Sequence, residues 1–100
     1  MKVQDLKTIQ DIIKYWRECL SDNSLSDIQI AYNMTNVVSS DLWNQYYNDG
    51  KGDKDFIVIF DKVADLEIPQ GSEKWRQENW DRVKNHLTLL ENRYLNTEKT

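Results

Sequence analysis

The sequence predicts an all-α fold, a small bundle of four to five helices. Two segments, one near each end of the 100-residue chain, repeat apolar residues at i, i+3, i+7, i+10 and i+14, which is the spacing of one helical face. Ser or Asp, residues that commonly cap helices, precede the later helical segments. The chain is 39% hydrophobic with three Gly and one Pro, so we expect a single folded helical domain over residues 1–100.

The first helix is predicted from about Val3 to Leu20, because the polar run 21–24 interrupts the apolar pattern there. Its apolar seam consists of Leu6, Ile9, Ile13, Trp16 and Leu20. At the start of the second helix, Ser26 and Gln29 fit an S-x-x-Q capping box. The residues of this helix that are expected to face the core are Ile28, Ala31, Met34 and Val38.

A third, short helix is predicted after Ser39 or Ser40, and a turn with two glycines at 48–53 ends it. Its apolar and aromatic residues are Leu42, Trp43, Tyr46 and Tyr47. The last helix is predicted from Glu73 to Leu95, with Ser72 as its N-cap. Its seam consists of Trp80, Val83, Leu87, Leu90 and Tyr94. The tail 96–100 is expected to fray.

The central segment, residues 53–68, has two interpretations. Residues 56–60 are a continuous apolar run of aromatic and β-branched residues, so a short strand at 56–60 within an α+β fold is the alternative. A helix is favoured because the apolar residues of the segment fall on one face of a 3.6-residue period. Asp53 is its candidate N-cap, and Pro69 is expected to stop it.

The composition indicates a protein of the cytoplasm. Cys19 is the single cysteine, which excludes an internal disulfide and a Cys-based zinc site. No apolar run is long enough to span a membrane, and the first residues lack the pattern of a signal peptide.

The net charge of -4 is concentrated in one part of the chain. Residues 41–67 contain seven acids and three bases, whereas the remainder contains ten of each, and no Lys or Arg occurs between Arg17 and Lys51. Such a segment predicts attraction to a basic partner and repulsion from nucleic acid. The alternative is a solvated acidic face that only aids solubility.

No catalytic signature, cofactor motif or metal-binding pattern is present. His86 is the one histidine, and a lone helical histidine is more often a surface or packing residue than a catalyst. Asp49, Asp53 and Asp55 loosely follow a calcium loop, but the sixth and twelfth positions are Lys54 and Phe60 instead of the required Gly and Glu. We therefore expect a protein that is not an enzyme and that needs no cofactor or metal.

The region 26–47 also allows a degenerate helix-turn-helix. Ala31 is a small residue where such motifs often place one, and Leu42 fits a core position of the second helix. The would-be recognition helix, however, has no Lys or Arg to contact phosphates. A phage- or plasmid-type DNA-binding regulator is therefore the alternative function.

Aromatic residues and acids occur side by side in the middle of the chain. The segment Ser40-Asp-Leu-Trp-Asn-Gln-Tyr-Tyr47, followed by Asp49, Asp53 and Asp55 and by the run 56–65, resembles the small acidic immunity proteins that protect bacteria against colicin-type toxins, especially the colicin D-like class. The resemblance implies a helical protein that neutralises a basic nuclease by covering its active site. Trp and Tyr are also the residues most enriched at interface hot spots.

We therefore expect a non-catalytic immunity or inhibitor protein that binds a basic protein partner. The candidate partner-binding residues are Asp41, Trp43, Tyr46, Tyr47, Asp49, Asp53, Asp55, Asp61 and Asp65. A purely structural subunit that buries the aromatic face is a third possibility, and the sequence leaves the oligomeric state open.

Overall fold

The computed structural model describes residues 2–48 and 52–96, and it confirms the all-α prediction. Its five α-helices are α1 (Ile9–Leu20), α2 (Asp27–Thr35), α3 (Asp41–Asn48), α4 (Lys54–Leu66) and α5 (Glu73–Tyr94). Short 3-10 helices lie at Val3–Asp5 and Asn36–Ser39. Within these described ranges there is no strand, so the alternative of a strand at 56–60 is wrong.

The central helix α4 forms the middle of the bundle. It packs along α5 on one side and against α2 on the other, while α1 contacts both α2 and α5. Phe56, Ile59, Val63 and Leu66 of α4 are at most 1% exposed, and each such side chain contributes roughly 1.5–3 kcal/mol by its burial. Side chains from α1 and α5 complete the core, among them Trp16 and Leu87.

Three of the predicted caps form as expected. Ser72 accepts a hydrogen bond from the backbone N–H of Trp75 at 3.1 Å, and Asp53 accepts one from the N–H of Asp55 at 3.0 Å. Ser40 accepts from the N–H of Trp43 at 3.1 Å. These bonds satisfy backbone donors that the first turn of a helix leaves unpaired.

Two predictions about helix starts need correction. The first helix begins at Ile9 instead of Val3, because Thr8 and Asp11 form a reciprocal capping box. The capping box predicted at α2 is only half formed: Ser26 accepts from the N–H of Gln29, but the amide of Gln29 turns to Asn33.

The 3-10 turn after α2 changes which valine is buried. Val38 was expected in the core at four residues beyond Met34, but Val37 is fully buried there and Val38 is 47% exposed. Because a 3-10 helix has three residues per turn, the residue three positions after Met34 takes the core side. Val38 is thereby turned toward solvent.

None of the helices described in residues 2–48 and 52–96 is both long enough and apolar enough to cross a membrane.

Candidate protein-binding surface

Trp43 is a core residue, which corrects its assignment as an exposed anchor. Its side chain is 3% exposed. The ring stacks on Phe60 with centroids 5.2 Å apart and lies 5.8 Å from the ring of Trp16. A partner cannot contact this indole unless the fold opens.

The two tyrosines of α3 differ in what they offer. Tyr46 is half-buried against Phe56, and its hydroxyl accepts a hydrogen bond from the backbone N–H of Asp53 at 2.7 Å. Tyr47 is 55% exposed. Of the three aromatic side chains predicted to anchor a partner, Tyr47 is thus the one with an open face.

Asp53 and Asp55 are already paired within the chain. Asp53 forms an ion pair with Arg93 and accepts a hydrogen bond from the hydroxyl of Tyr94 at 2.9 Å. Asp55 lies 2.9 Å from Nδ1 of His86 and 3.1 Å from the guanidinium of Arg93. This cluster fixes the start of α4 to the end of α5, so these carboxylates have less to offer a partner's cations than the sequence suggested.

The cluster shifts the pKa of its members. Burial opposes ionisation of Asp53, but the hydrogen bonds from Arg93, the N–H of Asp55 and Tyr94 outweigh it, and the pKa of this carboxyl lies below its usual value. Burial and the neighbouring carboxylate of Asp53 raise the pKa of Tyr94 to about 12. Hydrogen bonds to Asp53 and Asp55 raise the pKa of Arg93. The arrangement is a structural ion-pair network.

The other candidate acids have different positions. Asp41 is exposed in the first turn of α3, and Asp61 and Asp65 are exposed one turn apart on the outer face of α4. Lys54 lies on the same outer stripe of α4. Asp49 falls outside the described residues. Asp41, Asp61 and Asp65 therefore remain candidates for contact with a basic partner.

A groove that the sequence did not indicate lies between α2, the 3-10 turn and α4. Its volume is about 310 Å³. Its walls are Tyr32, Thr35, Asn36, Val38, Phe60, Ala64 and Glu67. Tyr32 is 54% exposed, and Glu67 accepts a hydrogen bond from the hydroxyl of Thr35 at 3.0 Å. The position of Val38 in this groove depends on the 3-10 turn Asn36–Ser39, and the sequence has no clear signal for that turn.

A second depression, of about 420 Å³, lies where the first 3-10 turn meets α1. Tyr15 and Cys19 line it, and the hydroxyl of Tyr15 donates to the carbonyl of Asn33 at 2.7 Å. Burial raises the pKa of the Cys19 thiol to about 11. This thiol is therefore protonated at neutral pH, whereas the thiolate is the nucleophilic form.

No group of three His, Cys, Asp or Glu side chains in residues 2–48 and 52–96 is arranged to hold a metal ion. Nδ1 of His86 lies 2.9 Å from a carboxylate oxygen of Asp55, so the histidine belongs to the cluster at the start of α4.

In the region of the possible helix-turn-helix, α2 and α3 are joined through the 3-10 turn Asn36–Ser39. The second of these helices begins with Asp41 and buries Trp43, and its sequence has no Lys or Arg. A recognition helix needs cations for the phosphate backbone, so this geometry gives the alternative no added support.

The chain matches no protein-family model, no curated protein and no solved structure.

Proposed function

We propose that this protein is a non-catalytic acidic inhibitor that binds a basic protein partner. The observation that carries the proposal is the absence of Lys and Arg from α2 and α3, together with exposed carboxylates on α3 and α4. The stretch from α2 through α3 contributes no Lys or Arg, because residues 18–50 contain none. Asp41 on α3 and the pair Asp61 and Asp65 on α4 add exposed carboxylates, and Lys54 is an exposed base on α4.

Exposed apolar side chains accompany these acids. Tyr32, Val38 and Tyr47 are each about half exposed, at 54%, 47% and 55%. Exposed apolar groups within a polar surround are typical of protein-binding surfaces. The same surface would repel the phosphates of nucleic acid.

A nuclease-type toxin is the partner class that we propose, and the cytoplasm is the compartment. The resemblance of residues 40–65 to colicin-type immunity proteins supplies this class. A basic nuclease active site is complementary in charge to an acidic cover, and such complementarity accelerates association.

The experiment is capture of the partner by the tagged protein from an extract of its source cells at low ionic strength. The proposal expects a basic protein that elutes as salt rises and whose nuclease activity is blocked by an equimolar amount of this protein. Recovery of DNA alone, or of further copies of this chain alone, would contradict it.

A matched pair of variants separates specific binding from net charge. Asp61→Asn with Asp65→Asn removes two exposed carboxylates from α4, and Glu78→Gln with Asp81→Asn removes two from the outer face of α5. Both double variants change the net charge equally. We expect only the α4 pair to reduce capture.

A further inference from the structure

We infer that the groove between α2, the 3-10 turn and α4 receives an apolar side chain from a basic segment of the partner. This inference rests on the proposed function and names the chemistry of the partner's contacting segment. It assigns the docking position to the surface around Val38 and Phe60.

Four of the seven residues that line the groove are apolar or aromatic: Tyr32, Val38, Phe60 and Ala64. Val38 is turned out of the core by the 3-10 turn, and Phe60 is held in place by stacking on the buried Trp43. Tyr32 stands beside them with more than half of its surface exposed. An apolar side chain placed here would cover all three.

The size of the groove favours a side chain over a large ligand. Its volume of about 310 Å³ is at the lower end of the range for small-molecule sites, roughly 300–1,000 Å³. Its walls come from the packed helices α2 and α4 and from the 3-10 turn that follows α2.

The charge around the groove selects a basic segment. Glu67 lies in the groove wall, and the exposed Asp61 and Asp65 each follow directly in sequence after a wall residue, Phe60 and Ala64. Neither Lys nor Arg is among the residues that form the walls in the described part of the chain. A segment with Lys or Arg next to its apolar anchor gains attraction on this rim, whereas an acidic segment is repelled.

The same charge disfavours a second copy of this chain as the occupant. Pairing two copies through this groove would place the wall carboxylate Glu67 of each copy in the same interface. Like charges placed together across an interface repel and weaken the association. A basic, amphipathic segment of another protein satisfies both the apolar floor and the acidic rim.

The test uses two synthetic helical peptides of equal charge and length. One carries Leu at i, i+3, i+4 and i+7 spacing on one face of the helix and Lys on the opposite face, and in the other every Leu is replaced by Ala. Binding to the whole protein, labelled with ¹⁵N, is followed by amide chemical shifts. The inference expects the Lys–Leu peptide to bind more tightly and to shift the amides of Val38 and Ala64 more than that of Leu89.

Variants assign the contact. Val38→Ser and Tyr32→Ser are each expected to weaken binding of the Lys–Leu peptide by about tenfold, the loss typical of an interface anchor. Leu89→Ser is the matched control, because Leu89 is 49% exposed on α5 and Val38 is 47% exposed. Thermal unfolding of each of the three variants is measured as well, to check that all of them are folded.

The outcomes for the inference and for the proposed function are distinct. Equal affinity for the two peptides, no binding of either, or an effect of Val38→Ser no larger than that of Leu89→Ser would overturn the inference. The proposed function is judged separately by Asp61→Asn with Asp65→Asn. If that double variant captures the partner as well as the native protein does, the electrostatic basis of the proposed function fails.

Discussion

Arg76 near the start of α5 holds three parts of the bundle together, and its removal should destabilise the fold. Its side chain is 14% exposed. Nε donates to Oδ2 of Asp27 on α2 at 2.7 Å. The other guanidinium nitrogens donate to the carbonyls of Leu66, Ile68 and Gln70, at 2.5, 3.0 and 2.9 Å. One cation thus joins α2, the end of α4 and the loop into α5.

The cost of Arg76→Ala follows from these bonds. Asp27 is 44% exposed, so its ion pair is partly screened and contributes about 1 kcal/mol. The bond to the carbonyl of Leu66, at the negative end of the α4 dipole, contributes about 1–2 kcal/mol. Ile68 and Gln70 are exposed, and water can replace the guanidinium there. The expected loss is about 2–3 kcal/mol, which for 100 residues lowers Tm by about 10–15 °C.

Urea unfolding followed by circular dichroism measures this loss. Arg82→Ala is the control, because Arg82 is exposed on the same helix and its replacement changes the intrinsic helix propensity by the same amount as Arg76→Ala does. Arg76→Lys keeps the positive charge but loses the planar set of guanidinium donors, so we expect it to retain only a minor part of the stability that Arg76 contributes. A loss of stability for Arg76→Ala that equals the loss for Arg82→Ala would show that the hydrogen bonds of Arg76 do not stabilise the fold.

Three further predictions concern the core, the ion-pair network and the loop before α5. Trp43→Ala should cost about 3–5 kcal/mol because it empties a core site, whereas Tyr47→Ala should change stability by less than about 0.5 kcal/mol. The pKa of Asp53 is lower in the folded than in the unfolded protein, so its contribution to stability is present above about pH 4 and is lost as the pH falls through the folded pKa. Arg93→Ala should therefore make the free energy of unfolding depend less on pH in this acidic range. Gly71→Ala should cost at least about 1–2 kcal/mol, since φ is +82° and a Cβ would lie 2.2 Å from the neighbouring indole of Trp75.

Each of these is checked by unfolding measurements with a clear contrary result. Equal losses for Trp43→Ala and Tyr47→Ala would contradict the burial difference. The pH argument is tested between pH 2 and 6, about two units on either side of the usual carboxyl pKa. If the free energy of unfolding depends on pH identically in the native protein and in Arg93→Ala, the ion pair of Asp53 does not contribute as expected. For Gly71→Ala, unchanged stability would show that the loop accepts another backbone conformation.

Local sequence signals predicted most of the helices. Ser40, Asp53 and Ser72 cap the helices that they were expected to start, because a cap depends only on residues within one turn. The seam of α5 from Trp80 to Leu90 is buried as its spacing predicts. The strand alternative at 56–60 was resolved in favour of a helix by the position of Phe56, Ile59 and Val63 on one buried face.

The candidate site was harder to predict, because it depends on contacts between distant parts of the chain. Asp53 and Asp55 pair with Arg93 and His86, which lie 31 to 40 residues later, and no local pattern indicates that pairing. Trp43 and Tyr47 are both aromatic residues of one short helix, but only Trp43 packs between Phe60 of α4 and Trp16 of α1 and is buried. The exposure of Val38 follows from a single 3-10 turn.

The last measurement is the association rate of the captured partner as a function of salt concentration. We predict that the association rate falls steeply as ionic strength rises, and that Asp61→Asn with Asp65→Asn lowers it at low salt. Glu78→Gln with Asp81→Asn, of equal net charge, should leave it near the native value. A rate that does not depend on salt, or that falls equally for both double variants, would contradict an acidic binding surface on this side of the bundle.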